Sequence, residues 1–257
     1  MWAYKVSFEI PYDRPERLRA RLHVVHAPRL DARLGAGEVP SARLQRRWRS
    51  PKRVTALDRA LALLYATWEV EPHLVLAWIL RNHPERFARA AARLAATFDA
   101  TLLGYWLLPS APPWWASEEA GLMDGDVRRV ITRVGRDLKG EPLEQDDTEG
   151  ANPWAAMPSD HFASAVTAAI ALGEASPLGG ALAAGYAAAL GFALVYLGEH
   201  YVVDLLAGLA LAAAVHAAEP AVRPLARRAD RAWRRLEPRR APLRASRRPA
   251  SHRRWRA

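Results

Sequence analysis

The feature that most constrains the fold of this chain is a long, almost uncharged stretch in its C-terminal half. Residues 181–218 are rich in Ala and Gly, and their acids and histidines are Glu199, His200, Asp204 and His216. Charged groups are costly in hydrocarbon, and small residues let helices approach closely in a bilayer. The sequence therefore predicts membrane-spanning helices at 161–174, 178–198 and 200–218.

Two further apolar segments precede this stretch. Residues 55–81 are long enough to cross about 30 Å of hydrocarbon as one helix, although two acids and a proline near position 70 interrupt them. Residues 90–108 follow a short basic turn. The pattern predicts an all-α fold, a polytopic membrane helical bundle with five visible spans. A soluble all-helical protein is the alternative, and the scarcity of charge in 181–218 favours the membrane.

The chain divides by composition into three parts. A polar N-terminal segment with short helices covers 1–54, the membrane core covers 55–218, and an Arg-rich tail covers 219–257. Ser41 and Thr55 each precede a helical pattern, and their hydroxyls are predicted to cap the first turn.

Basic charge is concentrated in the tail. Residues 223–257 contain 14 Arg and two acids, whereas the whole chain carries a net charge of +10, so the rest is close to neutral. Because this charge follows an apolar helix, it indicates contact with anionic lipid head groups and not a nucleic-acid-binding face. The absence of cysteine excludes disulfides, thiolate catalysis and Cys-ligated metal.

The distribution of loop cations predicts the orientation. The Arg-rich tail and the basic turn at 82–89 are expected on the cytoplasmic side of the cell membrane, which puts the 109–160 loop and His200 outside. Five spans would also put the basic residues 1–55 outside. We therefore hypothesise that a sixth, N-terminal span is missing from this sequence.

His200 and Asp204 form the first chemical pattern. They are four residues apart, so they share one face of a helix. A carboxylate there can accept the N–H of one imidazole nitrogen and leave the other nitrogen free as a nucleophile or base. A buried pair without chemistry, or a metal-binding pair, would show the same spacing.

The run PSDH forms the second pattern, where Ser159 can cap a helix that starts at its end. The first-turn N–H groups of such a helix attract an anion such as phosphate. His161, at the same helix start, could protonate a leaving oxygen. Both histidines are predicted at the extracytoplasmic ends of adjacent antiparallel spans, so they are expected to meet, and the set fits phosphoryl transfer.

These motifs resemble a known family. PSDH followed 39 positions later by HYVVD resembles the type-2 phosphatidic acid phosphatase superfamily. The runs AMPSDHF, YLGEHYVVDLLAG and PSAPPWW resemble its bacterial branch related to inositol phosphorylceramide synthases and aureobasidin resistance. The resemblance implies that His200 attacks phosphorus and forms a phosphohistidine, that Asp204 orients it, and that His161 protonates the departing alcohol.

The resemblance also implies the reaction class. The substrate would be a lipid or isoprenoid phosphate taken from the bilayer, and no metal or cofactor would be needed. Water as the acceptor would make the enzyme a lipid phosphatase, and a lipid or sugar hydroxyl would make it a phosphotransferase of the inositol-phosphate type.

The chain departs from the family pattern in its charges. Leu194 stands where the phosphatases have an arginine, and their KxxxxxxRP motif is not present. Because a phosphoryl transition state needs positive charge, Arg128, Arg129 and Arg133 in the outer loop are candidates to bind phosphate, together with Ser159. Asp160, beside the expected phosphate site, would repel the substrate unless it faces away. The alternative is a catalytically weak or non-enzymatic membrane protein on the same scaffold.

Overall fold

The computed structural model describes residues 14–142 and 152–236. Those residues contain eleven α-helices and no β-strand, so the predicted all-α fold is confirmed for them. The chain divides into two compact units, 1–217 and 218–257. The last helix begins in the first unit and ends in the second.

Three short helices occupy the polar N-terminal segment. They are α1 (Pro15–Arg19), α2 (His26–Leu34) and α3 (Pro40–Trp48). The predicted cap at Ser41 is wrong, because α3 begins one residue earlier and Val39 stands at the N-cap without a side-chain hydrogen bond. Pro40 explains the shift, since proline is preorganised for the first helical position and needs no hydrogen bond there.

The segment 55–81 is two helices and not the single helix that was predicted. They are α4 (Ala56–Thr67) and α5 (Glu71–Asn82), each 12 residues long. Proline near the start of α5 explains the break, because its ring and missing N–H exclude it from a helix interior. The predicted cap at Thr55 is confirmed, since its hydroxyl accepts from the Asp58 N–H at 3.1 Å and the Asp58 carboxylate accepts from the Thr55 N–H at 2.7 Å.

The next helix starts earlier than the sequence suggested. α6 (Pro84–Leu107) takes in most of the basic turn, again with a proline at its first position. The loop that follows carries α7 (Pro113–Glu118), a 3₁₀ turn (Leu122–Gly125) and α8 (Val130–Lys139).

The apolar C-terminal half forms the long helices. They are α9 (Asp160–Ala175), α10 (Pro177–Tyr196) and α11 (Val202–Leu236). Among the described residues, two helical stretches are long and apolar enough to cross a membrane, the whole of α10 and Val202–Pro224 of α11. The tail is helical as far as Leu236, and the rest of it lies outside the described residues.

The N-terminal segment packs against the end of the bundle where α10 stops and α11 starts. The Asp31 carboxylate accepts from the Val203 N–H at 2.9 Å, and the Gln45 amide donates to the Tyr196 carbonyl at 2.8 Å. The loop between α6 and α9 meets the same end, where the Trp114 N–H donates to the Gly198 carbonyl at 3.0 Å. Both polar segments therefore surround the break that contains His200.

Candidate active site

His161 and His200 lie together at this end of the bundle. His161 is in the first turn of α9, and His200 is in the short break between α10 and α11. His161 Nδ1 and His200 Nε2 are 3.3 Å apart, and His200 is only 3% exposed. The Ser159 hydroxyl starts α9 by accepting from the Phe162 N–H at 3.4 Å, so the predicted cap is confirmed.

Asp204 lies on the other side of the His200 ring. Its Oδ2 atom is 3.5 Å from His200 Nδ1 and accepts from the Tyr201 N–H at 2.8 Å. Its place in the first turn of α11 favours the negative charge, because the N-terminus of a helix is electropositive. The carboxylate therefore faces Nδ1, and Nε2 is directed to His161.

A direct backbone contact joins the two motifs. The Ser159 N–H donates to the Asp204 carbonyl at 3.0 Å. A methyl group added at Gly208 would lie 2.7 Å from the Ser159 carbonyl oxygen, closer than real Cβ contacts allow. Glycine at 208 is therefore needed for the start of α9 to reach α11.

Substitution of Gly208 by alanine should separate the two motifs. The clash is with a backbone oxygen that cannot rotate away, so we expect a loss of roughly 1–3 kcal/mol in stability and reduced turnover. The measurement is the thermal unfolding midpoint of the purified protein in detergent. Gly185→Ala on α10, where nothing lies within 4 Å of the added carbon, is the matched control. Equal midpoints for the two variants would contradict the packing argument.

An aromatic pair encloses the His161 ring, and the sequence patterns did not indicate it. The ring centroid of Trp68 is 4.2 Å away and that of Tyr65 is 5.0 Å away. The Trp68 indole N–H donates to the Ser164 hydroxyl at 2.8 Å, one turn along α9 from His161. Trp68 follows α4 directly, so the break that divides 55–81 also brings this ring to the site.

Asp160 faces away from the histidines. Its Oδ1 atom accepts from the Thr101 hydroxyl of α6 at 3.0 Å, and its N–H donates to the Tyr105 hydroxyl at 3.3 Å. The carboxylate is thus directed to α6. Asp160 was expected to repel a bound phosphate unless it faced away from the site, and it does face away. Two backbone donors in the first turn of α9 already have partners. The Asp160 N–H donates to the Tyr105 hydroxyl, and the Phe162 N–H donates to the Ser159 hydroxyl.

Of the arginines in the loop between α6 and α9, Arg129 is the one bonded beside the histidines. Its Nε atom is 3.0 Å from Glu199 Oε1, and its guanidinium lies 4.7 Å from the centroid of the Trp114 ring. Burial lowers the pKa of Arg129, but the Glu199 carboxylate more than offsets burial and the net pKa is raised. Arg128 points elsewhere, with its side chain 51% exposed and Nη1 3.7 Å from Glu118.

Asp31 supports the site from the N-terminal segment and was not predicted. It is fully buried and bonds the first turn of α11, next to Asp204. Burial raises the pKa of Asp31 to about 6, the N–H groups of Val203 and Val202 oppose the shift, and the nearby charge of Asp204 adds to it. A lone acid in an amphipathic helix gives no sequence signal for such a contact.

Comparison with known families gives one match. A family model described as the PAP2 superfamily matches residues 39–218, which is more than half of the chain. The match spans both histidine motifs and the helices that hold them. No match was found among curated proteins or among solved structures. The chain belongs to the PAP2 superfamily.

Proposed function

We propose that this protein is an integral-membrane phosphoryl-transfer enzyme that acts on a lipid or isoprenoid phosphate through a phosphohistidine on His200. The observation that carries the proposal is the order of the three side chains. Asp204 faces one ring nitrogen of His200, and the other ring nitrogen faces His161. Membership of the PAP2 superfamily supports the reaction class.

The reaction has two steps in this arrangement. The lone pair of His200 Nε2 attacks phosphorus, the bond from phosphorus to the leaving oxygen breaks, and His161 gives that oxygen its proton. An acceptor hydroxyl then attacks phosphorus, the P–N bond breaks, and His161 takes the acceptor's proton. Because His161 Nδ1 and His200 Nε2 are 3.3 Å apart, the phosphoryl group must enter between these two atoms.

Positive charge for the phosphate comes from Arg129 in this proposal. Its guanidinium bonds Glu199, the residue before His200, and an incoming phosphate can share that guanidinium or displace the carboxylate. Ser159 orders the turn next to the phosphate through its cap on α9 and its bond to Asp204. Arg128 is turned to Glu118 and does not supply this charge.

The membrane arrangement is also part of the proposal. α10 and the apolar part of α11 are proposed to span the cell membrane, and α6, α9 and the α4–α5 pair complete the bundle. The histidine pair then faces the extracytoplasmic side, and the Arg-rich tail contacts anionic head groups in the cytoplasm. The branch related to inositol phosphorylceramide synthases, suggested by the motif wording, favours transfer to a hydroxyl over hydrolysis.

A panel of phosphorylated lipids tests the function. Purified protein in detergent or nanodiscs is given phosphatidic acid, an isoprenyl phosphate and phosphatidylinositol, with and without inositol or diacylglycerol as acceptor. Phosphate release without acceptor identifies a phosphatase, and head-group exchange that needs the acceptor identifies a transferase. No turnover beyond that of His200→Ala on the whole panel would support the non-enzymatic alternative.

Asp160 gives a separate test of how the phosphate is placed. Asp160→Asn keeps an oxygen for Thr101 and removes the charge, so KM should stay within about threefold of wild type if the carboxylate faces α6. The measurement is KM for the best substrate of the panel, with the unfolding midpoint as a check on folding. A large fall in KM would mean that the carboxylate repels substrate.

A further inference from the structure

Three arginines lie near the end of the bundle that holds the histidines, where α3 meets the start of α8. Arg49 ends α3, while Arg128 and Arg133 flank the start of α8. Gln45 holds the Arg128 backbone in both directions, with its Nε2 donating to the carbonyl and its Oε1 accepting from the N–H, each at 2.9 Å. These bonds fix the start of α8 next to the end of α3, and the Arg128 side chain lies 3.7 Å from Glu118.

Arg133 strengthens the same junction. Its Nη2 atom donates to the carbonyls of Ser50 and Pro51 at 3.3 and 3.0 Å, directly after Arg49. These neutral acceptors leave the charge of Arg133 in place. A guanidinium fixed next to another guanidinium is unfavourable unless an anion joins them.

The Arg49 guanidinium is partly buried and has a nitrogen without a hydrogen-bond partner. Burial, followed by the charges of Arg133 and Arg128, lowers the pKa of Arg49, whereas the charges of Tyr196 and Asp58 act in the opposite direction. The Asp58 carboxylate already accepts from the Tyr196 hydroxyl at 2.5 Å and from the Thr55 N–H at 2.7 Å. Arg49 Nε is buried without a hydrogen-bond partner, an arrangement that an anionic ligand would satisfy.

The cluster is too far from the histidines to hold the reacting phosphate. Arg49 lies near Asp58 on α4, whereas Tyr65 of the same helix contacts His161. Asp58 and Tyr65 are seven positions apart on α4, which corresponds to a rise of about 10 Å. Hydrogen bonds are about 3 Å long, so one phosphate cannot bond groups at both places.

We propose that Arg49, Arg128 and Arg133 form a second anion subsite, which binds a phosphate group roughly 10 Å from the phosphorus that His200 attacks. The inference deepens the proposed function and rests on it for the substrate class, which is a lipid whose head group carries two separate phosphates. The same chemistry would also bind free inorganic phosphate, or the head group of a neighbouring lipid.

Binding is tested first, without turnover. The full chain carrying His200→Ala is titrated with inorganic phosphate in detergent by isothermal calorimetry. Arg49→Gln should weaken the affinity at least about tenfold, since charged hydrogen bonds are the strong ones. Arg53→Gln, a neighbouring exposed arginine, is the matched control and should leave the affinity unchanged. Equal affinity in the Arg49 and Arg53 variants would overturn the subsite.

Measurements of turnover then show whether the second phosphate belongs to the substrate or to a separate molecule. With His200 intact, phosphatidic acid is compared with phosphatidylinositol 4-phosphate, which has a second phosphate. A rise in KM of Arg49→Gln for the second lipid alone supports a two-phosphate substrate. An equal rise for both lipids supports binding of a separate phosphate, and no rise for either overturns the substrate class. If wild type binds phosphate through Arg49 but turns over no lipid, the proposed function fails and the subsite stands.

Discussion

Replacement of His200 by alanine is expected to reduce turnover of the best lipid phosphate to below roughly 10⁻⁴ of wild type, because the attacking nitrogen is removed. His161→Ala should cost less, roughly 10²- to 10⁴-fold, since water can replace a general acid in part. The difference follows from the positions of the two histidines. Asp204 faces Nδ1 of His200, and His161 faces the other nitrogen of His200, Nε2. Initial rates over a range of substrate concentrations give both values.

The control for this prediction is a second histidine, which lies on α11, the helix that follows the break. His216 lies on α11, 16 residues after His200 in the chain, with its Nε2 atom 3.9 Å from Glu174. His216→Ala should retain turnover within about threefold. Comparable losses in the His200 and His216 variants would mean that the substitutions act through folding and not through chemistry. Unfolding midpoints distinguish these cases.

Replacement of Arg129 by alanine is the second large effect expected. Loss of one preorganised cation from a phosphoryl-transfer site should lower kcat/KM by roughly 10²- to 10³-fold. Arg129→Lys should recover little of this, because a lysine cannot reproduce the two contacts that the guanidinium makes with Glu199 at 3.0 and 3.4 Å.

The effect of Arg129→Ala on stability must be separated from its effect on catalysis by a second variant. Removal of Arg129 leaves Glu199 buried without its partner, and a buried unpaired charge destabilises by itself. Arg129→Ala combined with Glu199→Gln removes that penalty. If the double variant recovers wild-type kcat/KM, Arg129 only neutralises Glu199, and the charge for the phosphate comes from elsewhere. If kcat/KM stays low, Arg129 acts on the substrate.

Much of the helical framework could be predicted from sequence because it depends on local chemistry. The Ala- and Gly-rich segments became α9 and α10, and the hydroxyls of Thr55 and Ser159 cap their helices. The proximity of His161 and His200 was expected from the short connection between antiparallel helices, and the two rings are in contact in the structure.

Other features could not be predicted because they depend on contacts between distant segments. The proline near position 70 was visible in the sequence as an interruption of 55–81, but only the fold shows that the chain breaks there and that the Trp68 indole reaches His161. Asp31 bonds Val203, 172 residues away, and no periodicity marks such a pair. The pairing of Arg129 with Glu199 likewise requires the loop between α6 and α9 to fold over the bundle.

The most direct test of the central claim is to trap the phosphorylated enzyme. Wild-type protein is mixed with substrate, quenched in alkali, in which phosphohistidine is stable, and digested for mass spectrometry. The account predicts one phosphorylated peptide with phosphate on His200, absent in His200→Ala and accumulating when His161 is replaced and the acceptor is withheld. Turnover by His200→Ala at the wild-type rate, or phosphate on another residue during turnover, would contradict it.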